Sequence, residues 1–181
     1  MEFELLGWSD EGTIIALDHQ EFSYAGKFRM SASGKAVLRE HGTILAAASF
    51  SADRSDEKNV WIRYLTVKTD RTGERLGSRL AATLQCWLLD KQYECVSIAV
   101  NNPFAYVACY RAGFAWTGNE TGIAELVLSH TAPRSISAYQ EGLNRFSDKR
   151  TLTDAELSYV EKWSKIGQPD RISVPNEWLP G

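Results

Sequence analysis

The sequence predicts an α/β (α+β) fold: a mixed, mainly antiparallel sheet with one β-α-β crossover, flanking helices and a C-terminal helical extension. Three patterns lead there. Strand-like segments crowd the first third of the chain. A helical stripe lies between two apolar strand patterns, and such a crossover places its two strands parallel. Beyond residue 133 the periodicity becomes purely helical.

Taken in order, residues 3–8 and 13–17 read as short strands, and 22–30 alternates loosely as a third. Segments 35–39 and 43–50 flank Glu40-His41-Gly42, a tight-turn signature that predicts a hairpin. The charged run 52–59 (ADRSDEKN) is expected to be a solvated loop. Residues 60–67 (VWIRYLTV) form a strand rich in β-branched and aromatic side chains. A polar turn at 68–74 leads to a helix at 76–89, where Leu76, Leu80, Leu84, Trp87 and Leu88 fall on one stripe. After a strand at 94–100, Asn101-Asn102-Pro103 opens a helix that Gly113 stops as a C-cap. Strands at 114–117 and 123–128 then bracket a turn at 118–122.

Ile136, Tyr139, Leu143 and Phe146 share a helical face, and Thr153-Asp154-Ala155-Glu156 is a capping box opening another helix. Gly167, Pro169, Pro175 and Pro180 break the pattern, which predicts an extended or loose final dozen residues. The order suggests a domain at 1–132 and a helical extension at 133–181, packed on that domain or mediating assembly, for instance as a homodimer.

Composition narrows the function. The 181 residues are 44% hydrophobic and 24% charged, with a net charge of -3. Residues 135–181 carry six basic and seven acidic side chains, so neither end is polarised. That excludes a bulk electrostatic grip on nucleic acid. Cys86, Cys95 and Cys109 form no CxxC pair and His19, His41 and His130 are scattered, so neither a metal site nor a disulfide framework is expected. The longest apolar stretch, 44–50, falls far short of the roughly 20 residues of a membrane helix, and the N-terminus has no basic leader. A cytoplasmic protein with no nucleic-acid or membrane partner is expected.

The chemistry concentrates in 60–77 (VWIRYLTVKTDRTGERLG), where a strand ends, a polar turn with Gly73 follows, and a helix opens near Gly77-Ser78. The first amides of a helix lack internal partners and lie at the positive end of its dipole, a natural anion site. Arg71, Arg75 and Arg79 add positive charge. The spacing is neither a P-loop nor a dinucleotide fingerprint. The plainer alternative is a strand-to-helix turn with a solvated charged face.

This segment resembles the signature of the GCN5-related N-acetyltransferases, in which a strand ending in Val precedes Arg/Gln-x-x-Gly-x-Gly/Ala at a helix start. Here Val67 precedes Thr72-Gly73-Glu74-Arg75-Leu76-Gly77. Gly77 fits the last position, Arg75 replaces the middle glycine, and Thr72 replaces the Arg/Gln. The family's second segment matches Val96 to Val100, Asn102, Ala105 and Gly113-Phe114. The resemblance covers roughly 35–130. It implies acetyl-CoA as cosubstrate and an amine acceptor, with no metal. The implied cofactor-binding residues are Leu65, Thr66 and Val67 for the pantetheine arm, and Thr72, Gly73, Arg75, Leu76, Gly77, Ser78 and Asn102 around the remainder. It also implies a V-shaped slot beside the strand at 96–100. Arg75 either adopts a left-handed conformation at a cost of about 1–2 kcal/mol, or keeps ordinary angles and touches phosphate itself.

In the family a Tyr four residues before the Gly-Phe glycine acts as general acid. That slot holds Cys109, with Tyr110 one residue later. One helical residue is about 100° of rotation, so only one of the two can face a thioester. Glu125 is either a half-buried base or an outward strand residue. Trp8, Phe22, Tyr24, Phe28, Trp61, Tyr64 and Trp116 either line an acceptor pocket or fill the core. The expected activity is direct acetyl transfer to an amine in a ternary complex. The alternative is a non-catalytic CoA-binding sensor or protein-interaction module on the same fold.

Overall fold

The computed structural model describes every residue from Met1 to Gly181, and the middle strands of its sheet run as consecutive buried residues, covered on both faces. The chain divides into two compact units, one of residues 1–96 with 173–181, the other of residues 97–172. The fold is α/β, with seven strands, mainly antiparallel with one parallel pair, and four α-helices.

In the first unit, β1 (Glu2–Gly7), β2 (Gly34–Glu40), β3 (Thr43–Ala52) and β4 (Asn59–Val67) form a continuous antiparallel ladder in that order. His41 and Gly42 both have positive φ (50° and 79°), the paired left-handed geometry of a type I′ turn. That geometry matches strand twist, which is why this hairpin is legible from sequence. β5 (Cys95–Val100) begins in this unit beside β4. Helix α1 (Leu76–Asp90) buries Leu76, Leu80, Leu84 and Leu88.

The segment between β1 and β2 departs from expectation. Neither 13–17 nor 22–30 is a strand; instead a 3-10 helix spans Ala25–Arg29. The buried residues Phe22, Ala25 and Phe28 recur every third position, the period of a 3-10 turn and not the two of a strand. Tyr24 enters that turn at φ 60°, and Ile15 N–H donates to the Phe28 carbonyl at 3.0 Å. Ile15 and Phe28 thereby pack on Val37 and Ala47 of the sheet.

The final residues are also ordered rather than loose. A 3-10 turn at Asn176–Trp178 buries Trp178, and the Trp87 indole N–H of α1 donates to the Trp178 carbonyl at 2.7 Å. An aromatic anchor overrides the prolines around it.

In the second unit β7 (Leu126–Ser129) pairs antiparallel with both β5 and β6 (Ala115–Glu120). The turn lies at 121–125, later than expected, with Ala124 at φ 64° and Thr121 N–H bonded to the Glu125 carbonyl. Gly118 is absorbed as an irregularity within β6, where the register shifts between Trp116 and Glu120. Helices α2 (Pro103–Ala112), α3 (Ile136–Lys149) and α4 (Asp154–Ile166) complete the unit. Gly142 of α3 lies against the Tyr106 ring and hydroxyl, too close for any Cβ. Arg134 pins three carbonyls, those of Tyr110, Phe114 and Pro169.

Candidate functional site

The turn from β4 into α1 is built by internal hydrogen bonds that leave its helix end unused. Residues Thr69–Arg71 make a 3-10 turn whose Thr69 N–H and hydroxyl both donate to the Glu21 carbonyl, at 2.9 and 2.8 Å. The Thr72 hydroxyl donates back to the Thr69 carbonyl, so its proton is committed within the turn. Arg71 grips Glu74 with two parallel bonds of 2.6 and 2.8 Å and reaches Glu40 at 3.3 Å. These carboxylates hold the guanidinium firmly charged, and Arg71 in turn lowers Glu74 below its ordinary range.

Gly73 (φ 90°) and Arg75 (φ 62°, ψ 18°) are both left-handed. That decides between the two conformations open to Arg75: it takes the strained one. The kink throws α1 into line directly after it. Gly77 then packs its bare backbone on β4; a Cβ there would stand 3.3 Å from Val67 Cγ2 and 3.9 Å from Leu65 Cδ2. A larger side chain would push the helix off the strand.

The resulting N-terminus has no side-chain cap and no acid in its first turn. By contrast α2, α3 and α4 are capped by Asn102, Ser135 and Thr153. The Ser78 hydroxyl, in this same turn, is buried with no hydrogen-bond partner. Neither Arg75 nor Arg79 enters an ion pair, whereas Arg71 is saturated by two carboxylates. First-turn amides, an unpartnered hydroxyl and two guanidiniums outside any ion pair together suit a phosphate ester. Leu76 is buried, as is Thr66, while Leu65 and Val67 are half-buried beside them on β4. The first unit thus brings together Leu65, Thr66, Val67, Thr72, Gly73, Arg75, Leu76, Gly77 and Ser78.

The second unit holds the remaining sequence candidates. Asn102 caps α2, its Oδ1 accepting from Ala105 N–H at 2.9 Å and its amide donating to Asn101 at 3.0 Å. Cys109 is buried, and desolvation pushes its thiol up to about 12. Tyr110 is fully buried too; its hydroxyl accepts from Trp116 N–H at 3.0 Å, and Arg134 lies over its ring. Tyr106 and Tyr139, neither a site candidate from sequence, pack around it tilted and edge-on, with centroids 4.9 and 4.8 Å away. The Tyr106–Tyr110 spacing of four residues was the available signal. Glu125 sits in the β6–β7 turn, where Thr121 Oγ1 bonds its N–H, and not on a strand. No group of three or more His, Cys, Asp or Glu converges as metal ligands. No helix is long and apolar enough to cross a membrane.

Among solved structures, an N-acetyltransferase from Staphylococcus aureus Mu50 is similar at 19% identity and TM-score 0.46, over 54% of this chain and 64% of that one. The PaiA N-acetyltransferase from Thermoplasma acidophilum in complex with coenzyme A matches at 13% identity and TM-score 0.45, over 52% of this chain and 58% of that one. A GCN5-related N-acetyltransferase from Kribbella flavida matches at 18% identity and TM-score 0.47, over 54% and 66%. The chain therefore spans less than two thirds of these structures' lengths. No curated protein matches the sequence. The model of the acetyltransferase (GNAT) family matches residues 3–114, more than half of the chain, and the protein belongs to that family.

Proposed function

We propose that this protein moves an acetyl group from acetyl-CoA to an amine by direct attack. The amine nitrogen forms a bond to the thioester carbonyl carbon, the C–S bond breaks, CoA leaves as a thiolate that is protonated from the enzyme, and the proton lost by the amine returns by way of solvent to the group that gave it. The observation that carries this reading is the uncapped, acid-free start of α1 with the buried, unpartnered Ser78 hydroxyl. In it, the Leu76, Gly77 and Ser78 amides hold the diphosphate, Arg75 neutralises it, and the Leu65, Thr66 and Val67 backbone takes the pantetheine amides. Gly73 and Thr72 shape the turn, and Asn102 sets the start of α2.

Of the two α2 candidates, Tyr110 is the one we assign to protonating the thiolate. With its thiol pushed up to about 12, Cys109 would give its proton uphill. Tyr110→Phe is expected to lower kcat about a hundredfold with little change in acetyl-CoA affinity. Unchanged kcat would assign Tyr110 to packing.

A second reading is supported by the full burial of both Cys109 and Tyr110: a module that binds CoA without turnover. Titration with acetyl-CoA followed by thiol release against an amine panel separates the two. Binding with turnover supports the transferase; binding without any turnover supports the module; no binding contradicts both.

A further inference from the structure

The surface of the first unit next to the turn has a composition that selects among amines. Tyr24, Ile14 and Met30 are 52, 61 and 54% exposed, and all lie between β1 and β2; Met1 is the unit's remaining large exposed apolar side chain. Tyr24 is held in a left-handed conformation that costs a β-carbon-bearing residue strain, and its ring lies 5.6 Å from that of Tyr64 on β4. The ring is seated on Tyr64 on one side and leaves its other side open to a ligand.

Charge adds a second, independent selection. From residue 22 to residue 38 the chain has three cations, Lys27, Arg29 and Lys35, and no carboxylate. Lys35 is buried with its ammonium spent on three acceptors, the Met30 carbonyl and the Ser33 carbonyl and hydroxyl. That clasp fixes the segment on the sheet. Lys27 and Arg29 are exposed and enter no ion pair; Lys27 Nζ lies 5.8 Å from the Tyr64 ring centroid. Glu21, the preceding carboxylate, is occupied by Lys68 at 3.1 Å. Elsewhere in this unit Arg39, Lys58, Lys68 and Arg71 have carboxylate partners, while Arg54, Arg63, Arg75, Arg79 and Lys91, on other segments, enter no ion pair.

The same surface adjoins the proposed thioester strand. Tyr64 immediately precedes Leu65, and the Glu21–Thr69 bonds tie the segment to the anion-binding turn. Across the strands, Lys35, Ser49 and Tyr64 stand in one register row, and the Ser49 hydroxyl there is buried without a partner.

We propose that the acceptor is a free amino acid with an aromatic or large apolar side chain, its carboxylate held by Lys27 and Arg29 and its side chain laid against Tyr24 and Tyr64. The proposal rests on the acetyl-transfer reading and names the substrate class for it. Bidentate or charge-assisted pairing of a carboxylate gives discrimination that an apolar surface alone does not.

The test compares L-phenylalanine, L-phenylalaninamide and phenethylamine as acceptors for the full chain, with acetyl-CoA titrated calorimetrically in parallel. Phenylalanine is expected to exceed both carboxylate-free amines in kcat/KM by about tenfold or more. The exposed pair Lys27→Met with Arg29→Met is expected to erase that preference, and Lys27→Arg with Arg29→Lys to keep it. Equal or better turnover of phenethylamine overturns the inference, as does a preference that survives in the double methionine variant. Acetyl-CoA binding with no acetylation of any of the three overturns the acceptor class while leaving CoA binding intact. Absence of acetyl-CoA binding removes the acetyl-transfer reading, and this inference with it.

Discussion

Arg75 holds a Cβ-bearing residue at φ 62°, where glycine alone is free of steric cost. The strain is the local consequence of starting a helix directly after a turn without a capping side chain. Arg75→Gly relieves it and Arg75→Ala does not, while both remove the guanidinium. The glycine variant is therefore expected to be the more stable of the two by about 1 kcal/mol, a melting difference of a few degrees in thermal denaturation. Gly142 illustrates the opposite constraint. A methyl there would meet the Tyr106 ring and hydroxyl and the Trp116 ring at 3.1 Å. Gly142→Ala is expected to cost about 1–3 kcal/mol, read as a lowered melting temperature; an unchanged melt would mean that Tyr106 moves aside freely. Neither constraint was visible from sequence. Arg75 stood between two conformations until the backbone was seen, and Gly142 carried no turn signal because its role depends on a ring from another helix.

Elements were legible where a local rule decided them. The His41-Gly42 turn, the α1 stripe, the Asn102 and Thr153 caps and the Gly113 C-cap all follow from residues adjacent in sequence. Residues 22–30 read as a strand because Phe22, Tyr24, Phe28 and Met30 fit alternation about as well as Phe22, Ala25 and Phe28 fit a three-residue period over so short a span. The β6–β7 turn moved because Gly118 serves a bulge.

The capping box of α4 gives two tests at this scale. Thr153→Ala is expected to cost about 1 kcal/mol of stability, measured by denaturant unfolding. Glu156 accepts two bonds from Arg150 and one from Thr153 N–H, and these hold its carboxyl at about 2, below the ordinary 4.5. The ionised carboxylate therefore contributes its full stabilisation above about pH 4.5, and the contribution fades as pH falls toward 2. Glu156→Gln is expected to flatten the pH dependence of the melt across that window. A variant with the same acid slope as the native chain would exclude Glu156 as its source.

For the molecule as a whole, the acetyltransferase family was legible because its signature is a backbone requirement. A turn after the strand must bring a helix back with a small residue packed on that strand, and Gly77 meets that demand against Val67 and Leu65. The acceptor side was not legible. The segment to which we assign it is irregular, and its placement depends on the buried Lys35 clasp and the tie from Glu21 to Thr69. The acid candidates were named from register alone, and their burial within an aromatic cluster depends on α3, whose contacts no local pattern announces.

Calorimetric titration of the intact protein with acetyl-CoA, repeated with Gly77→Val, bears most directly on the uncapped start of α1. The account predicts saturable one-to-one binding that weakens with added salt and is lost in a folded Gly77→Val variant. No heat and no thermal shift at about millimolar acetyl-CoA, or undiminished binding by Gly77→Val, would contradict it.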